Sequence, residues 1–266
     1  VLTGHAGMLA MTHAAFYGIG AYATAVLTSI YDFTFIDSIL VGAALSFVIA
    51  FIIGFAMARV RDEYYALASF GFMVVVFSIL NNWVSVTKGS VGITSIPNPE
   101  VFGVSLSSDL SVLALVSLTL FFVSSVMFVI TRSHFGRVLR AIKDNYKIVE
   151  LFGYKHVVYM TIIFTLTAIL ASAVGSLYAS YISFVSPASF TLFESIFILT
   201  IVIFGGAGSL RGAILGSFVL VSLPEVLRFL DLSIGSIDQF RLVIYGLILI
   251  TVIYFRPKGI LGSHSI

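Results

Sequence analysis

Residues 38–58 read SILVGAALSFVIAFIIGFAMA, twenty-one positions from Ser38 to Ala58 without an ionisable side chain. A helix crosses the roughly 30 Å hydrocarbon core of a bilayer with about 20 apolar residues. This segment is therefore a transmembrane helix. Working outward, further apolar stretches occupy 14–30, 66–82, 110–131, 157–182, 195–210, 212–228 and 241–255. Each must satisfy its backbone internally, and no strand-like alternation points to a barrel. The fold class is all-α, a polytopic transmembrane helical bundle of about eight spans. The last three stretches are short for a full crossing, so they are tilted, broken or longer than their apolar cores.

Composition agrees. Hydrophobic residues make up 59% of the 266 and charged residues 10%, against about 45–50% and 25% in globular chains. The mean hydropathy is +1.12. No cysteine is present, which removes disulfide scaffolds, thiolate metal sites and cysteine nucleophiles. A net charge of +2 with no basic-aromatic patch gives no case for a nucleic-acid partner. The chain opens on Val1 in apolar, glycine-rich sequence with no basic region before it. That reads as a truncated N-terminus.

Threading eight spans alternately puts Arg59, Arg61, Arg132, Arg137, Arg140, Lys143, Lys147, Lys155, Arg211, Arg256 and Lys258 on one side. Lys88, Arg228 and Arg241 fall on the other. By the positive-inside rule the first side is cytoplasmic, and with it the C-terminus. The expected location is the cell membrane, multi-pass.

Glycine marks two places where helices are expected to break. One holds Gly4, Gly7, Gly18 and Gly20; the other runs from Gly205 through Gly206 and Gly208 to Gly212. Broken helices free backbone groups to line a transport path, whereas Gly208, Gly212 and Gly216 at i+4 spacing equally make a packing face. Gly4, Gly18, Gly20, Gly205, Gly206, Gly208 and Gly212 are accordingly candidates for pathway lining or packing. A small-residue stripe, Ala168-Ser172-Ser176-Ser180 beside Ala171-Gly175-Ala179, reads as a helix interface. The segment 83–109, with Pro97, Pro99, Gly89, Gly92 and Gly103, is an external loop, either a passive connector or a partner site.

Chemistry is sparse. There is no P-loop, and the Gly206–Gly212 spacing does not make a dinucleotide fingerprint. No catalytic, cofactor or metal site is expected, and the chain is not read as an enzyme. His5 and His13 are the imidazoles at membrane depth and read as packing residues, with a metal site or proton relay as the competing reading. Thr191-x-x-Glu194 has the spacing of a capping box, and Glu225 pairs locally with Arg228.

Residues 132–155 differ from everything around them. Six basic side chains there would cost roughly 15–20 kcal/mol at mid-bilayer, so the segment does not span. At 100° per residue Val138, Ile142, Tyr146, Val149 and Phe152 share one face; Arg137, Arg140, Lys143, Asp144, Lys147 and Glu150 share the other. This is an amphipathic helix at the cytoplasmic surface, in reach of membrane lipid. Ile148 and Leu151 interrupt its polar side, as contacts for another protein do; resting on anionic headgroups is the competing reading.

Several runs resemble branched-chain amino-acid ABC transporter permeases of the LivM type. They are Thr3-Gly4-His5-Ala6-Gly7, His13 through Tyr22, Asp62-Glu63-Tyr64-Tyr65-Ala66, Phe70-Gly71-Phe72 with Asn81-Asn82-Trp83, and Ser186-Pro187-Ala188-Ser189-Phe190-Thr191 through Ser209. Phe135 to Ile142 is similar to the family's coupling segment. The resemblance implies one transmembrane permease domain over 1–266. Its partners would be a second permease of the LivH type, two cytosolic ATPase subunits and an extracytoplasmic substrate-binding protein. It implies alternating access driven by ATP, no cofactor in this chain, and ATPase coupling through Arg137, Arg140, Asp144, Ile148, Glu150, Leu151 and Gly153. The chain departs from the family pattern at Thr12, where glycine is usual, and at Ile148-Val149, where an alanine pair is common. Import of urea, short amides or another small polar solute is the sibling reading. A self-sufficient channel or secondary transporter is the reading from another class.

Overall fold

The computed structural model describes residues 1–60, 62–101, 104–229, 246–247, 259 and 261. In chain order the helices are α1 (Leu2–His5), α2 (His13–Ile30), α3 (Phe35–Met57), α4 (Asp62–Asn82), α5 (Val84–Thr87), α6 (Asp109–Arg132), α7 (His134–Leu151), α8 (His156–Ile182), α9 (Leu192–Gly205) and α10 (Leu210–Phe229). Seven of the eight expected spans correspond to α2, α3, α4, α6, α8, α9 and α10. The eighth, 241–255, lies outside the described residues apart from 246–247, as do Arg241, Arg256 and Lys258. The expected boundary at 195–210 is corrected: α9 is 14 residues long and stops at Gly205, because Gly206 (φ 108°) and Gly208 (φ 88°) turn the chain through backbone angles reserved for glycine.

Helix α8 is central, with α2 and α3 packed along it. Backbone approach decides this contact. A Cβ at Gly20 of α2 would overlap the Ser172 carbonyl of α8, and one at Gly175 of α8 would overlap the Tyr17 carbonyl of α2. Ser176 Oγ donates to the Gly20 carbonyl at 3.2 Å. The small-residue stripe of α8 is thus an interface, with Ala168, Ser172, Gly175, Ser176, Ala179 and Ser180 all buried. On α3 the buried positions are Phe35, Ser38, Gly42, Ser46, Ala50, Gly54 and Met57, while Phe47, Phe51, Ile52 and Phe55 are exposed. Small residues inside and large apolar ones outside is the arrangement of a helix solvated by lipid. Helix α6 takes it furthest, with Met127 as its only buried residue.

Helix ends follow local chemistry. Thr34 caps α3 by accepting the Asp37 N–H at 3.2 Å, and Asp37 adds a negative charge to the first turn. Ser108 does the same for α6 through Ser111 N–H at 3.3 Å. Thr191 occupies the N-cap position of α9 without a side-chain capping bond, so that half of the expected capping box is absent. The side chains of Glu225 and Arg228 lie outside the described residues.

The described residues of the segment 83–109 are structured. It holds α5, a 3-10 turn at Gly89–Val91, and β1 (Ile93–Thr94) to β3 through β2 (Glu100–Val101) and β3 (Val104–Ser105). Strand β1 pairs antiparallel with β4 (Phe184–Val185), Ile93 opposite Val185 and Thr94 opposite Phe184. The small strands qualify the all-α class without altering the bundle. This pairing ties the segment to the C-terminal end of α8, so its described residues are packed on the bundle and are not a loose connector.

Candidate functional site: a cavity at the helix breaks and a surface helix

The chain breaks its helices twice at one end of the bundle. The four-residue α1 is followed by Ala6–Thr12, with Gly7 at φ 71°, before α2 begins. The second break is the α9–α10 turn, where a Cβ at Gly205 would overlap the Gly212 carbonyl and one at Gly216 would sit 2.9 Å from the Ile201 carbonyl. These glycines let two short helices lie backbone to backbone. The two breaks meet: a Cβ at Gly4 would overlap the Gly208 amide.

A cavity of about 430 Å³ opens beside them. Leu2, Thr3 and His5 wall it from α1, His13 and Tyr17 from α2, Thr167 and Val174 from α8, and Gly206, Gly208 and Ser209 from the turn. Its described lining carries no aspartate, glutamate, lysine or arginine. Such a chamber accepts an apolar group and offers hydroxyl, imidazole and backbone partners to its polar end. Among the described residues no cluster of three His, Cys, Asp or Glu side chains stands ready for a metal ion.

The structure divides the seven candidate glycines by role. Gly206 and Gly208 line the cavity. Gly4 stands directly behind its wall, against Gly208. Gly20, Gly205 and Gly212 make backbone packing contacts, and a Cβ at Gly18 would sit 3.0 Å from Phe190 Cγ. Phe190, fully buried, meets Tyr17, Tyr22 and Tyr178 at ring-centroid distances of 5.6, 6.1 and 6.2 Å. That aromatic cluster was not anticipated, since its members come from three separate stretches of sequence. Thr12, where the family pattern has glycine, is 1% exposed, so its larger side chain is accommodated.

The surface helix needs two corrections. Helix α7 is broken at Asn145 (φ −159°, ψ 99°), whose Oδ1 accepts the N–H groups of Lys147 at 3.1 Å and Ile148 at 3.3 Å. An asparagine that binds the backbone this way ends one helix and caps the next. The apolar face also stops short of its expected end, because α7 finishes at Leu151. Val138, Ile142 and Val149 are buried as expected, and Leu139 is buried beside them, but Phe152 is 77% exposed, beside Leu151 at 87% and Ile148 at 52%.

The charged candidates separate similarly. Arg140 Nη1 donates to the Thr131 carbonyl at 3.1 Å and Arg137 Nη1 to the Arg132 carbonyl at 3.4 Å. Both guanidinium groups cover the C-terminal carbonyls of α6 and brace its elbow with α7. Glu150 pairs with His156 Nδ1 at 2.5 Å across the α7–α8 turn, and Gly153 makes that turn at φ 86°. Asp144, Ile148, Leu151 and Phe152 remain outward-facing.

Five described helices are long and apolar enough to cross a membrane, and the bundle hides backbone breaks around an apolar chamber. The architecture is that of a polytopic helical membrane permease. Residues 1–253 match the family model described as branched-chain amino acid transport system/permease component, and the chain belongs to that family. It is 30% identical to the high-affinity branched-chain amino acid transport system permease protein LivM of Salmonella typhimurium, over 98% of this chain and 65% of that protein. The corresponding Escherichia coli protein gives the same figures. It is 27% identical to BraD of Pseudomonas aeruginosa, over 98% of this chain and 88% of that protein. It is 26% identical to the LivH permease of Salmonella typhimurium, over 98% and 87% respectively. The chain thus spans about 65% of the length of the LivM permeases it matches. No solved structure matches.

Proposed function

We propose that residues 1–266 act as one transmembrane permease domain of an ATP-driven importer for branched-chain or related hydrophobic amino acids. The observation that carries this reading is the uncharged cavity where two broken helices meet. An aliphatic side chain is solvated by its apolar wall, while freed backbone groups and His5, His13 and Tyr17 offer hydrogen bonds to the polar end. The names of the relatives, all branched-chain amino acid transport permeases, support the same cargo. Energy enters from outside this chain. Two ATPase subunits drive the complex, one of them docked on α7, a LivH-type permease completes the path, and a substrate-binding protein delivers cargo to the capped external end. Gly4, Gly18, Gly20, Gly205, Gly206, Gly208 and Gly212 form the wall and the joints of the moving path.

The test is uptake of radiolabelled leucine into proteoliposomes holding the permease isolated with its own partners. Uptake is expected only with ATP on the α7 side. Leucine flux at equal rate without ATP would replace the importer by a channel or gradient-driven carrier. ATP-driven uptake of urea or short amides with none of leucine would keep the mechanism and change the cargo.

Orientation is part of the proposal, with the basic end and the C-terminus cytoplasmic. Arg59, Arg132, Lys155 and Arg211 stand at the ends of α3, α6, α8 and α10 that adjoin α7 in the proposed threading, and Lys147 lies within α7. A cysteine at Asp32, on the turn between α2 and α3, is expected to react with a membrane-impermeant maleimide in intact cells. One at Lys147 is expected to react only after permeabilisation. The reverse pattern would invert the topology.

A further inference from the structure

Sequence periodicity puts Lys143 on the solvated face of α7, and the structure puts it elsewhere. Its Nζ donates to the Gly4 carbonyl at 3.2 Å, across 139 residues of chain. The stem is enclosed: a Cβ at Gly7 would sit 2.9 Å from Lys143 Cγ, and Gly7 stands at φ 71°. A second, smaller cavity of about 250 Å³, walled by Gly7, Tyr65, Lys143 and Met160, adjoins this contact. The accepting carbonyl lies in the last turn of α1, where a helix leaves its carbonyls without intrahelical donors. A lysine is the side chain long enough to supply a cationic donor there while burying its methylenes.

Three elements meet at that one residue. Gly4 accepts from α7 through its carbonyl, its Cα lies against the Gly208 backbone of the α9–α10 turn, and its neighbours Leu2, Thr3 and His5 wall the main cavity. On α7, Lys143 stands in the anchored half, beside the fully buried Leu139 and Ile142. Two residues later the helix breaks at Asn145, and beyond the break lie the exposed Ile148 and Leu151. We propose that Lys143 is a positioning residue: its bond to Gly4 carries movement of the docked half of α7 into α1 and the cavity wall. Hydrolysis on the ATPases is linked to opening of the path through this contact. The inference rests on the importer reading above, since a permease without ATPases has nothing to transmit.

The test uses the full complex in proteoliposomes. Lys143→Met is expected to assemble with the ATPases and to keep basal ATP hydrolysis within about twofold. Leucine uptake is expected to fall about tenfold, the factor that one charge-assisted hydrogen bond is worth. Lys143→Arg keeps a cationic donor and is expected to recover most of the uptake. Normal uptake by an assembled Lys143→Met complex would overturn the proposal, as would parallel loss of assembly, hydrolysis and uptake in both variants. Should Lys143→Met not be recovered from the membrane, Lys143→Gln, a shorter neutral donor, is read by the same ratio of uptake to hydrolysis. A wild-type complex with no ATPase at all would strike the importer reading itself, a result separable from any behaviour of the variants.

Discussion

Gly175→Ala will unfold the bundle at lower temperature, by about 5–10 °C in detergent, and Gly20→Ala will do nearly the same. Each methyl group points at a main-chain carbonyl of the facing helix, Tyr17 for the first and Ser172 for the second. Backbone on both sides leaves no flexible side chain to give way, so α2 and α8 must separate. Over-packing costs about 1–3 kcal/mol, and in a chain of this size each kcal/mol moves Tm by about 2–4 °C. Separation also lengthens the Ser176–Gly20 hydrogen bond, now 3.2 Å, and loosens the burial of Ser172 and Ser180. The double variant is expected to fall short of additive, because the first methyl already opens the contact that the second would clash with. Gly71→Ala is the control. Nothing lies within 4 Å of a Cβ there, and alanine in place of glycine inside a helix gains up to about 1 kcal/mol. Its Tm is expected to hold or rise. Equal melting of all three variants, followed by tryptophan fluorescence of Trp83 or by aggregation, would show that close approach of α2 and α8 does not hold the bundle together.

That contact was legible in outline only. The i+4 stripe on α8 named the interface, because small residues in lipid have few other uses, but nothing in the stripe names α2 as its partner. The seven helices were legible for the same solvent reason: uninterrupted apolar length has one outcome in a bilayer. The end of α9 was not, since hydropathy continues past Gly205 while backbone geometry does not; the positive φ of Gly206 and Gly208 decides the boundary. The break in α7 had a visible signal in Asn145, a residue that competes for backbone hydrogen bonds. Phe152 was assigned to the wrong face because α7 ends one residue before it, at Leu151. Lys143 gave no signal, because a lysine among lysines and arginines reads as solvated until the chain brings Gly4 and Gly7 against it. Among the candidates, the glycines that line the cavity and those that only pack carry the same residue type and similar spacing. Only the fold separates them.

Leu151→Asp combined with Phe152→Asp will detach the ATPase subunits while leaving the permease folded. Leu151, Phe152 and Ile148 are exposed at 87%, 77% and 52%, and they lie on the surface helix of the basic end, beyond the Asn145 break. Burying one such side chain against a partner is worth about 1.5–3 kcal/mol. Two aspartates in their place add desolvated charge to the interface, so affinity is expected to fall about 100-fold or more. Folding does not depend on them, because exposed substitutions cost about 0.5 kcal/mol or less. Val149→Asp, buried at 7% between the same residues, makes the contrast by destabilising α7 itself. Arg140 is the poorer probe despite its charge. Its guanidinium holds the Thr131 carbonyl at 3.1 Å, and reversing it breaks the α6–α7 elbow whether or not an ATPase binds there. Co-purification in mild detergent, with circular dichroism on the purified chain, separates the outcomes. If the double aspartate variant retains its ATPases and instead loses contact with anionic lipid, measured by quenching of a fluorophore at position 147 with brominated lipids, these side chains lie on headgroups. The docked end of α7 must then be sought at Asp144 and the residues before the break.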